Sequence, residues 1–236
     1  MYDLKNQRFV VLAFATVGNI HDNSKGGYTH FLHREEIIEI SAVKIECGII
    51  KDSFHSFVAI DGIDSHNLQF EPGNYGSYRA TPELLIGSPS FSDLIEKIYA
   101  FIGDSIIIDI SSSIINQLQF FKDKASSLGY LINNPVLSMW HIHRAKVLQK
   151  RLRANDKKFE NLSTLQIAQM FTTKDARWTD IFAEYDIDFN PEGKDIDDIG
   201  RNDPLSWALA FAKLFIALVE DDNYSALEPI DEEYPF

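Results

Sequence analysis

At 236 residues, with 45% hydrophobic and 12% aromatic residues, the chain is long enough for a large domain with a substantial core. A formal net charge of −13 argues against a general nucleic-acid binder, which carries a basic surface. A lone cysteine, Cys47, excludes an internal disulfide and fits a reducing compartment. No apolar run reaches the roughly 18 residues of a membrane span, and Met1–Arg8 lacks the layout of a signal peptide. A soluble, cytoplasmic protein with no membrane partner is therefore expected.

Taken in chain order, residues 8–16 are a β-branched and aromatic run that predicts a buried strand. Residues 19–34 are polar and contain glycine, so a loop is expected; His21, His30 and His33 there, beside Asp22, read as ordinary loop residues in preference to a zinc site. Two strands are predicted over 36–47 and 49–60, around a turn at Cys47-Gly48, and residues 61–80 read as irregular connection. Thr81-Pro82-Glu83 has the cap-then-proline start of a short helix. After Pro89-Ser90, the apolar residues Phe91, Leu94, Ile95 and Ile98 recur at helical spacing through Ile102.

Residues 105–110 predict a core strand, Ser113–Leu128 a helix stopped by Gly129, and 135–139 a short strand. Helices are expected over 140–155, 161–171 and Pro204–Val219, the last with Asp203 as N-cap and Pro204 in its first turn. Strands first, then alternating helix and strand, imply an α/β sheet of mixed direction. Residues 221–236 hold six acids and no Lys or Arg, which leaves −7 on residues 1–220. The division expected is a folded domain over 1–220 and an acidic C-terminal tail over 221–236.

Phe9-Val10-Val11-Leu12-Ala13-Phe14-Ala15-Thr16-Val17-Gly18 resembles the first motif of the DnaQ-like, DEDDh-type 3′–5′ exonucleases, apolar residues followed by Asp-x-Glu-Thr-x-Gly. Glu36–Ile45 is similar to the family's second strand, Gly48–Val58 to its third, and Ala80–Asp104 to the segment before its second motif. The resemblance spans roughly residues 8–219. It implies an RNase-H-like fold: a mixed five-stranded sheet flanked by helices.

The family's catalytic positions are altered. The first motif's Asp and Glu are Ala13 and Ala15 here. The second motif's Asp, reached through Asp109-Ile110-Ser111-Ser112-Ser113-Ile114-Ile115, is Ile115. In Asn202-Asp203-Pro204-Leu205-Ser206-Trp207-Ala208, Asn202 replaces the general-base His and Trp207 the last carboxylate. Family members would use two Mg²⁺ or Mn²⁺ ions held by those carboxylates. Alanine, isoleucine and tryptophan offer no oxygen ligand, so no cofactor is expected, and the resemblance implies an inactive domain that binds a protein partner or single-stranded DNA or RNA.

The alternatives are an active exonuclease with substitute ligands, for which Glu39 and Asp109 are the candidates, or an Asp→Ala, Glu→Ala inactivated version of an active one. Seven basic residues fall between Arg144 and Lys158, and Lys146, Lys150, Arg153 and Lys157 follow the i, i+4, i+7, i+11 spacing of one helix face. That stripe is either a solvated face or a surface for phosphate or an acidic partner. His141 and His143, beside Trp140, read as surface or partly packed residues.

Overall fold

The computed structural model describes residues 4, 6–17, 36–60, 82–110, 117–143, 145–146, 178–189 and 204–220. Strand β1 (Arg8–Val17) pairs antiparallel with β2 (Glu36–Glu46), and β2 pairs antiparallel with β3 (Ile49–Phe57). The β2–β3 reversal takes two residues, Cys47 at φ 53° and Gly48 at φ 73°. Two successive positive φ values match the right-handed twist of the flanking strands, and glycine meets that demand without steric cost. Strand β3 ends at Phe57, three residues before the stretch expected from sequence. There the chain leaves the ladder to form a single bridge, Ala59 to Ser90.

Helices α1 (Pro82–Ile86) and α2 (Phe91–Ile102) follow, then β4 (Ile106–Asp109). Ser90 caps α2 with a reciprocal box: its side chain accepts from the Asp93 N–H, and the Asp93 carboxylate accepts from the Ser90 N–H. Those Ser90 bonds hold the Asp93 carboxyl below its ordinary 3.8. Because the native value is depressed, this contribution is complete above about pH 4 and is lost as the pH falls through the native value. Ser90→Ala is expected to cost about 1 kcal/mol at neutral pH. Comparing its urea midpoint with wild type at pH 7 and pH 3 checks this, and the gap should narrow at the lower pH.

Helix α3 (Gln117–Ser127) occupies the later part of the helix expected over Ser113–Leu128; residues 113–116 lie outside the described residues. Strand β5 (Val136–Ser138) is shorter than expected, because Met139 already begins a helical segment over 139–143. Helices α4 (Trp178–Glu184) and α5 (Pro204–Glu220) complete the described elements. The helix expected over 161–171, the cap Asp203 and the tail 221–236 lie outside them. No helix among the described residues is long and apolar enough to cross a membrane.

β1 pairs parallel with β4, and β4 parallel with β5, which gives the order β3-β2-β1-β4-β5. The sheet is thus mixed and five-stranded. Helices cover both faces, so the central strands read as near-continuous apolar runs instead of alternating. Phe9, Val11 and Ala13 pack with Trp207, Phe211 and Phe215 of α5 and with Trp178 and Phe182 of α4. Val10 and Leu12, on the opposite face, pack with Ile95 and Ile98 of α2 and Phe121 of α3. On the α2–α3 side, Lys124 Nζ donates to Glu36 Oε2 at 2.6 Å and ties the start of β2 to the end of α3.

Candidate functional site

Strand alternation places Ala13 and Ala15 on the face of β1 covered by α5. The antiparallel register extends that face into two cross-strand rows. Ala13 stands opposite Ser41, and Ser41 opposite His55; Ala15 stands opposite Glu39, and Glu39 opposite Phe57. Ala13 is 4% exposed and belongs to the α5-side core. Ala15 is half-buried and packs at the neighbouring cluster of Ile38 and Leu85. The two alanines of β1 therefore sit in different settings, one sealed in the core and one at its margin.

Trp207, in the first turn of α5, belongs to the same core cluster as Ala13. It is 8% exposed, and its ring centroid lies 4.5 Å from Phe189, 5.8 Å from Phe182 and 5.6 Å from Phe211. Trp178 adds a contact of 4.7 Å to Phe211 and another of 4.7 Å to Trp140. Every tryptophan of the chain thus joins one aromatic cluster on the α5 side of the sheet. Burial of such rings is among the largest single contributions to a core.

The sequence alone indicates neither α4 nor its part in this cluster, although Trp178, Ile181 and Phe182 carry the i, i+3, i+4 spacing that marks a buried helix face.

Glu39 is the polar exception. It is fully buried, with His55 Nε2 at 2.7 Å from its Oε1. Its Oε2, the Ser41 hydroxyl and the Trp207 indole N–H are buried and have no hydrogen-bond partner among the described residues. A buried carboxylate with a single imidazole partner is costly to desolvate, so Glu39 is a costly polar insertion in a largely apolar face. The His55–Glu39 pair leaves no signal in the sequence, because the two residues meet only through the pairing of β2 with β3.

Asp109 does not join Glu39. Ile106 and Ile108 of β4 pack on the α5 side and Ile107 on the α2–α3 side, so alternation directs Asp109 to the face opposite Glu39. Lys146 is half-buried, and its ammonium lies 5.2 Å from the centre of the Tyr185 ring. That cation–π contact places the first residue of the basic stripe against the segment that follows α4. Ile115, Asn202, Lys150, Arg153 and Lys157 lie outside the described residues.

Two divalent ions need several oxygen ligands converging on one point. Ala13, Ala15 and Trp207 supply none, and no cluster of three or more His, Cys, Asp or Glu suited to a metal occurs among the described residues. Among the described residues, Ala13, Ala15 and Trp207 do not fit a two-metal centre, and Ile115 and Asn202 lie outside them.

The sheet order, the mixed strand directions and the helices on both faces define an RNase-H-like α/β domain. No family model matches the chain. The DNA polymerase III PolC-type of Clostridium perfringens (strain 13 / Type A) is 28% identical over 103 residues, which are 44% of this chain and 7% of that protein. The match thus spans a small fraction of the relative's length.

Among solved structures, a 3′-exonuclease in 3′-end specific recognition of a histone mRNA stem-loop superposes with a TM-score of 0.52 at 14% identity, over 94% of this chain and 85% of that one. Cell-death related nuclease 4 superposes with a TM-score of 0.51 at 12% identity, over 90% of this chain and 64% of that one. The chain has the fold of these nucleases.

Proposed function

We propose that this protein is a non-catalytic exonuclease-like domain that works by binding, with a protein as its ligand ahead of single-stranded nucleic acid. The observation that supports this reading is Ala13. Where the resemblance requires a metal-binding carboxylate, the chain has a methyl group 4% exposed in the same core cluster as Trp207. Loss of metal-ion catalysis removes both the activated hydroxide and the clamp on the reacting phosphate. Such losses amount to several kcal/mol or more of transition-state stabilisation. The charge of −13 favours a protein over nucleic acid as ligand.

Incubation of labelled single-stranded DNA and RNA with the protein in millimolar Mn²⁺ or Mg²⁺ is expected to give no shortening. A resident ion at about 100 times its dissociation constant would add about 2.7 kcal/mol of stability, so the melting temperature should not rise with either cation. Fluorescence anisotropy of the same oligonucleotides should show no binding that weakens between 50 and 200 mM salt. Salt-sensitive binding without cleavage would make nucleic acid the ligand.

One observation favours a second reading, an active nuclease with substitute ligands: Glu39 Oε2 is a buried carboxylate oxygen without a partner among the described residues, on the strand beside Ala15. Manganese-dependent hydrolysis abolished by Glu39→Ala or by Asp109→Ala would establish that reading and end the first.

A further inference from the structure

We draw no further inference here: the strongest candidate, the exposed apolar side chains Leu131 and Val136 just before and within the edge strand β5, carries nothing because nothing in the structure shows what covers them.

Discussion

Ala13→Asp is expected to destabilise the domain by about 3–5 kcal/mol, the range for a buried charge left without a partner. Ala13 lies in the cluster that holds Phe9, Val11, Trp207 and Phe211, and its cross-strand neighbour Ser41 is itself buried. An aspartate there enters a cluster of aromatic and aliphatic side chains and overfills a packed site. Domains of this kind hold only 5–15 kcal/mol in total, so the variant should unfold at a clearly lower urea concentration with an unchanged slope.

Ala15→Glu provides the contrast. Ala15 is half-buried at the margin of the core, so a longer side chain has a route toward solvent and should cost much less. The double variant restores both carboxylates of the first motif. Wild-type stability in that variant, together with a melting temperature that rises with Mn²⁺, would show that the metal pocket persists and would favour the alternative of an exonuclease inactivated at Ala13 and Ala15 alone. A stable Ala13→Asp variant with no response to Mn²⁺ would instead show that this position is more open than its 4% exposure implies.

Trp207→Ala should cost about 3–5 kcal/mol, as expected for truncating a large aromatic side chain in a core. Three rings, Phe182, Phe189 and Phe211, lose a packing partner together, at the N-terminal half of the helix that covers β1. Trp207→Phe should be far milder. It keeps the apolar contact and deletes a buried N–H that has no acceptor among the described residues. Chemical denaturation of both variants separates the alternatives. A loss below about 1 kcal/mol for Trp207→Ala would mean that the indole is not the packing element the geometry indicates.

Under the proposed function, these two experiments probe one physical difference, apolar packing where a metal-dependent site would carry mutually repelling charges. In a metal-dependent active site, clustered carboxylates repel one another until cations arrive, and the fold bears that cost for the sake of function. Here Ala13 and Trp207 belong to a continuous aromatic and aliphatic cluster instead. The corner consequently contributes to stability, apart from the buried Glu39 row.

Much of the frame is legible in the chain itself. The apolar runs of β1 and β2 and the Cys47-Gly48 reversal each mark their element through local chemistry. The apolar stretch from Pro204 likewise announces a buried helix, which the structure extends by one residue to Glu220. Helix α4 escapes notice because its apolar positions, Trp178, Ile181 and Phe182, span little more than one turn. Strand β3 stops early because the backbone of Val58 still bonds to Ile38 while Ala59 has already turned to Pro89, a choice set by distant segments.

The sequence by itself determined which side chains are available for chemistry: Ala13, Ala15 and Trp207 carry no ligand oxygen in any fold. It also determined where the chain turns and which runs must be buried, since both follow from local conformation and hydrophobicity. Only the tertiary structure decided which of the remaining polar groups meet. Glu39 joins His55 because β2 and β3 pair in one particular register, and Asp109 faces away from Glu39 because β4 enters the sheet with its alternation set by Ile107 and Ile108. Register and facing arise from the packing of whole strands against two helical layers, and a shift of one residue would reverse every one of those assignments.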